Sequence, residues 1–95
     1  MQIFSKQLKP KNLPTVLKVG DMKVRLTFES GWFYVYAIGK KQRVERRPLG
    51  IEITNESVVK VKGKLVKRVA LLQLFANGTE SVDVELLHTD VPVED

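Results

Sequence analysis

Apolar and polar residues alternate along several short segments of the chain, and this period of two is typical of half-buried β-strands. The clearest segment is 22–29, where Met22, Val24, Leu26 and Phe28 alternate with polar residues. Alternation, or a run of aromatic and β-branched residues, predicts further strands at 32–38, 42–46, 51–54, 57–62 and 82–86. The pattern therefore indicates a mainly β chain.

Residues 64–76 are compatible with a helix or with a strand. Leucine and alanine at helical spacing favour a helix that ends at Asn77-Gly78. Val66, Val69 and the strand that follows favour a β-hairpin, and we prefer this interpretation. If Asn77 and Gly78 form a two-residue loop, one face of the hairpin carries Val69, Leu71, Phe75, Val82, Val84 and Leu86.

These segments predict one domain over residues 1–95, because a chain of this length forms a single small core. We expect a mainly β barrel or sandwich of about seven short strands. A helix at 64–76 would instead make the fold α+β. Pro92 and the residues around it predict a loose tail at 91–95.

The composition argues against catalysis. The chain has no cysteine, which excludes disulfides, thiolate metal sites and a cysteine nucleophile. His88 is the one histidine, so we expect no metal site and no cofactor. Neither a phosphate-binding loop nor a nucleophile elbow is present in the sequence. We therefore expect a protein that is not an enzyme. The sequence also has no long apolar run and no apolar leader, which predicts a cytoplasmic location away from membranes.

The segment 22–38 predicts a hairpin with Ser30 and Gly31 in its turn. Counting from that turn pairs Phe28 with Phe33, Leu26 with Val35 and Val24 with Ala37 on an apolar face. The opposite face then carries the pairs Glu29–Trp32, Thr27–Tyr34, Arg25–Tyr36 and Lys23–Ile38. One face of the hairpin would thus display three large aromatic rings beside two cations.

Aromatic rings among cations suit the binding of single-stranded nucleic acid, because bases stack on rings while Lys and Arg neutralise phosphates. The same residues could simply pack and pair across strands without any ligand. A basic cluster lies next to the hairpin, on a loop or an edge strand, where it could bind phosphates or only protect a solvated strand edge. The predicted nucleic-acid-binding residues are Lys23, Arg25, Trp32, Tyr34, Tyr36, Lys40, Lys41, Arg43, Arg46 and Arg47.

The formal net charge of +5 is unevenly distributed. Residues 76–95 hold six acids and no Lys or Arg, whereas a second basic cluster lies at 60–68. The acidic segment could neutralise a neighbouring strand, or it could cover the basic surface and compete with nucleic acid. We therefore keep a second function open: a protein-interaction or assembly module, such as an adaptor or a virion accessory subunit, that binds an acidic protein partner or forms a homo-oligomer.

Overall fold

A computed structural model describes residues 1–93 as two antiparallel sheets of four strands each. The first sheet has the order β1-β8-β7-β6, and the second sheet has the order β2-β3-β4-β5. The strands are β1 (Gln2–Leu8), β2 (Thr15–Val19), β3 (Met22–Glu29), β4 (Trp32–Ala37), β5 (Lys40–Arg43), β6 (Ile51–Val61), β7 (Lys64–Asn77) and β8 (Ser81–Pro92). Within residues 1–93 a short 3-10 turn at Pro10–Asn12 is the one helical element, and no helix is long and apolar enough to cross a membrane.

The two sheets pack against each other through one apolar core and do not close into a barrel. The second sheet contributes Leu26, Phe33 and Val35, and the first contributes Leu72 and Leu74; all are almost fully buried. Each of these strands turns alternate side chains inward, because successive residues of a strand point to opposite faces. The predicted mainly β fold, a barrel or a sandwich, is confirmed in the form of two packed antiparallel sheets.

The strand inventory differs from the sequence-based prediction in number and extent. Residues 64–76 form a strand, so the helical alternative is wrong. The segments 51–54 and 57–62 belong to one continuous strand, β6, while β1 and β2 were not predicted, which makes eight strands rather than about seven. Val91 and Pro92, predicted to start a loose tail, pair with β7 as the end of β8. Val93 follows β8 and is exposed, and the last two residues of the predicted tail, Glu94 and Asp95, lie outside the described residues.

The predicted register of the β7–β8 hairpin is wrong by three residues, because a loop of Asn77 and Gly78 would put Leu71 opposite Val84, whereas Leu74 pairs with Val84. Asn77 pairs with Ser81, so the loop has three residues, 78–80, instead of two. Since a shift by an odd number of residues exchanges the faces of a strand, Leu72 and Leu74 join Val84 in the core. Leu71 and Phe75 lie on the outer face instead. Asn77-Gly78 correctly marks the position of the turn but not the length of its loop.

The first sheet is longer than the core that it covers. The molecule measures 49 × 24 × 22 Å, and the last core residue toward the β6–β7 turn is Ala70. Beyond Ala70, residues 56–69 and 89–92 continue as a three-stranded extension, which we call the arm. The arm leaves Val58, Leu65 and Val91 exposed.

The inward orientation of β7 can be tested with two matched substitutions. We expect Leu72→Ala to lower the free energy of unfolding by about 2–5 kcal/mol, because Leu72 is 0% exposed and its removal leaves a cavity. Leu71→Ala, the same change on the half-buried outer face, should cost clearly less. Urea denaturation followed by circular dichroism measures both. A larger loss for Leu71→Ala would contradict the observed register.

Candidate nucleic-acid interface

The β3–β4 hairpin has the register that the sequence predicts. Ser30 and Gly31 adopt positive φ values of 50° and 86°, as a two-residue hairpin turn of type I′ requires. The pairs run from Glu29–Trp32 through Phe28–Phe33, Leu26–Val35 and Thr27–Tyr34 to Arg25–Tyr36. The predicted pairs Val24–Ala37 and Lys23–Ile38 are not among those observed. Ile38 lies in the turn to β5 with a φ of 48° and is exposed.

This register places the three aromatic rings on the outer face of the second sheet. Trp32 is 45% exposed, and Tyr34 and Tyr36 are half-buried. Strand β5 lies beside β4 and contributes two cations, since Lys41 pairs with Tyr36 and Arg43 with Tyr34. We call this surface the aromatic face; it comprises Arg25, Thr27, Glu29, Trp32, Tyr34, Tyr36, Lys41 and Arg43.

A cation lies over each of the three rings. The Arg43 guanidinium is 4.5 Å from the centroid of the Trp32 ring, and the Arg25 guanidinium is 4.6 Å from that of Tyr36. Lys41 Nζ lies 4.3 Å from the centroid of Tyr34. Such contacts are attractive because the ring face is electron-rich. Rings and cations therefore form one alternating layer across three strands.

Glu29 holds this layer together through three hydrogen bonds. Its carboxylate accepts from Thr27 Oγ1 at 2.6 Å, from Tyr36 Oη at 2.5 Å and from Lys41 Nζ at 3.1 Å. These donors, Thr27 foremost, lower the pKa of Glu29 from 4.5 to about 2 because they stabilise its charged form. The bond from Lys41 to Glu29 in turn raises the pKa of Lys41. The carboxylate thus fixes one ring and one cation in place.

Two further cations extend the aromatic face toward β2. Lys23, a predicted site residue, is exposed at the start of β3, on the same face as Arg25. Strand β2 pairs with β3 and places the exposed Lys18 directly opposite Lys23. Lys18 was not predicted as a site residue. The alternating segment 15–19 followed by Gly20-Asp21 is the signal of a hairpin that would have revealed it.

Three predicted site residues lie away from this layer. Lys40 alternates with Lys41 on β5, so it has the opposite orientation to the rings. Arg46 follows β5 and lines a shallow groove that Trp32 and Arg43 also line. Arg47 reaches the other side of the molecule, where its guanidinium lies 4.1 Å from the Phe75 ring centroid and 3.4 Å from Asp83 Oδ2.

The acidic strand β8 does not cover the aromatic face. It lies inside the first sheet, between β1 and β7, and its Asp83 and Glu85 alternate with the core residues Val84 and Leu86. Both carboxylates therefore point outward from the first sheet, on the side opposite the aromatic rings. Strand β6 adds Glu52, which accepts a hydrogen bond from Gln73 on the same outer face. The two outer faces of the molecule consequently carry opposite charge.

The second basic cluster lies on the arm and is partly neutralised within the chain. Lys67 Nζ is 3.2 Å from Glu56 Oε2, and Arg68 binds both oxygens of Asp90 at 2.8 and 3.0 Å. Among residues 1–93, Lys60 takes part in no ion pair within the chain. The same part of the chain holds no cluster of metal-ligating side chains.

The hydrogen bonds of Glu29 predict an acid-dependent stability. A carboxyl whose pKa falls from 4.5 to about 2 on folding stabilises the protein fully above pH 4.5, and this contribution disappears as the pH falls toward 2. We expect Glu29→Gln to reduce the loss of stability between pH 5 and pH 2.5. Denaturation at both pH values tests this. Glu80→Gln, an exposed loop control, should leave the pH dependence unchanged. Equal slopes for Glu29→Gln and the unmodified protein would contradict the role of Glu29.

Comparison with known proteins adds no relative to this picture. No family model matches the chain, and no curated protein or solved structure is significantly similar to it. The interpretation of the aromatic face consequently depends on its own geometry and charge.

Proposed function

We propose that this protein is a non-enzymatic module that binds single-stranded nucleic acid on the aromatic face. The observation that carries the proposal is the layer of Trp32, Tyr34 and Tyr36 with a cation over each ring. Bases stack on exposed rings, and cations beside them neutralise the phosphates between successive bases. A flat sheet surface suits unpaired bases, which expose their ring faces when they leave a duplex.

The guanidinium groups increase the stacking surface rather than block it. Arg43 holds a delocalised cation 4.5 Å from the Trp32 ring centroid, and Arg25 holds one 4.6 Å from that of Tyr36. A planar guanidinium also stacks on a base, so a base can bind above it or replace it on the ring. Lys41 is held between Glu29 and Tyr34, which pre-orders one of the phosphate-binding charges.

The distribution of charge supports the same surface. On the outer face of the second sheet, within the described residues, two acids lie beside five cations: Glu29 binds Lys41 and Glu45 binds Arg43, while the other cations are Lys18, Lys23 and Arg25. Because the carboxylates of β8 point to the opposite side of the molecule, a polyanion can approach this face without displacing them.

The contribution of the bases can be separated from that of the charges. We expect a fluorescein-labelled oligo(dT) to bind more tightly than an abasic oligonucleotide of equal length, with both affinities falling as salt rises. Trp32→Ala should weaken oligo(dT) binding by about tenfold, the loss of one stacked base, and leave the abasic affinity nearly unchanged. Fluorescence anisotropy measures all four combinations. Failure to bind either oligonucleotide at low salt would refute the proposal.

A matched pair of arginine variants locates the surface. Arg43→Gln removes a guanidinium over Trp32, whereas Arg47→Gln removes one over Phe75 on the opposite side. Each arginine also has a carboxylate partner, Glu45 for Arg43 and Asp83 for Arg47. We expect Arg43→Gln to weaken oligo(dT) binding by about five- to tenfold and Arg47→Gln by less than twofold. Equal losses would exclude the aromatic face as the specific site.

The same experiment distinguishes an acidic protein partner from nucleic acid. Polyglutamate carries charge without bases, so a face that uses charge alone would bind polyglutamate and the abasic oligonucleotide as well as oligo(dT). In that case Trp32→Ala would affect all three ligands equally. This outcome would favour the protein-interaction alternative over the one proposed here.

A further inference from the structure

Strand β6 exposes one edge of the first sheet. It is 11 residues long and pairs with β7 over its full length, and its other edge has no strand partner among residues 1–93. The half nearer the core is attached to the second sheet, where Asn55 Nδ2 donates to Asp21 Oδ1 at 2.7 Å. From Glu56 to Val61 the strand belongs to the arm, and no side-chain hydrogen bond or ion pair joins those six residues to the second sheet in the described chain.

The turn at the end of β6 determines which backbone groups face outward. Lys62 and Gly63 have φ values of 51° and 79°, which identifies a two-residue type I′ turn closed by the pair Val61–Lys64. That closing pair is hydrogen-bonded, so alternate residues of β6 direct their N–H and C=O groups to β7. The backbone groups of Glu56, Val58 and Lys60 therefore point away from the sheet, available to another strand.

The side chains at these positions are self-complementary. We propose that two copies of this chain pair antiparallel through β6, with the twofold axis at Val58. In that register Val58, which is 62% exposed, meets Val58 of the second copy, and each Glu56 lies opposite Lys60 of the other copy. The result is a continuous eight-stranded sheet with two opposite-charge pairs across the new junction.

Neighbouring registers are less favourable. With the axis at Ser57, Val58 would lie opposite Glu56 of the second copy; with the axis at Val59, it would lie opposite Lys60. An exposed lysine on an edge strand normally prevents association. Here Lys60 takes part in no ion pair within the described chain, whereas the Val58-centred register gives it a carboxylate partner. Lys60 therefore favours the Val58-centred register instead of preventing association.

The pairing also accounts for the projection of the arm. Residues 56–60 lie beyond the core, and no side-chain hydrogen bond or ion pair in the described chain joins them to the second sheet, so their free edge is open to a second strand. A twofold axis perpendicular to the joined sheet keeps both second sheets on the same side. If the proposed function holds, the dimer presents two aromatic faces to one nucleic acid. The pairing itself depends only on β6.

Sedimentation equilibrium without nucleic acid tests the dimer independently of the proposed function. We expect a concentration-dependent mass that approaches twice the 10.8 kDa of the chain. Glu56→Lys and Lys60→Glu should each weaken self-association by about tenfold, because each places like charges opposite one another. An equimolar mixture of the two variants should recover the dimer, since both junctions of the mixed pair are again of opposite charge. Lys11→Glu, on the 3-10 turn, is the control for net charge.

The mixing experiment also controls for the internal ion pair of Glu56 with Lys67, which is lost equally in the Glu56→Lys variant alone and in the mixture. A monomer throughout the concentration series would overturn the proposal. So would two variants that fail to associate when mixed, or a Lys11→Glu variant that weakens association as much as they do.

A distance measurement tests the register. The chain has no cysteine, so Thr54→Cys accepts a single nitroxide on an exposed position of β6. With the axis at Val58, the two Thr54 Cα atoms are about 27 Å apart, against about 20 Å or 34 Å for axes at Ser57 or Val59. Dipolar electron paramagnetic resonance should give the middle value, after allowance for the length of the label. Either of the other distances would overturn the Val58-centred register.

Discussion

The structure depends on the burial of one apolar face from each sheet in a shared core. Leu26, Phe33 and Val35 of the second sheet pack with Leu72 and Leu74 of the first, and all five are almost inaccessible to water. Because side chains alternate along a strand, each residue that enters this core sends its neighbours to an outer face. The core therefore determines what the molecule displays, and both outer faces follow from the same packing.

On the second sheet this alternation places the aromatic rings on the outer face, and the hydrogen bonds of Glu29 order the side chains around them. A carboxylate among cations could be expected to weaken a polyanion-binding face. Here it accepts hydrogen bonds from Thr27, Tyr36 and Lys41, which lowers its pKa to about 2 and fixes the positions of its donors. Glu29 thus neutralises part of the positive charge of this face, but it also fixes the side chains that donate to it. Because these side chains are already ordered, less conformational entropy is lost when a ligand binds.

On the first sheet the same alternation produces an acidic outer face, so a net charge of +5 conceals two surfaces of opposite sign. The position of β8 between β1 and β7 keeps its carboxylates away from the aromatic face. Arg47, one of the three predicted site residues outside the aromatic layer, contacts Phe75 and Asp83 and neutralises part of the acidic side. The arm adds a third feature, an open strand edge that is unrelated to either face.

The sequence by itself determined the mainly β class and the β3–β4 register, because both depend on local alternation and on a two-residue turn between adjacent strands. For the same reason it placed Arg25, Trp32, Tyr34 and Tyr36 on one face of the hairpin. The cluster that holds Lys41 and Arg43 was predicted beside the hairpin, on a loop or an edge strand, and its pairing with β4 brings both residues to that face. Only the tertiary structure decided which face of β7 is buried and where β8 lies in the first sheet. It also placed Lys18 next to the aromatic face and Arg47 on the opposite side of the molecule. These depend on the length of one loop and on pairing between strands distant in sequence, where a change of one residue reverses every side chain and leaves the local pattern unaltered.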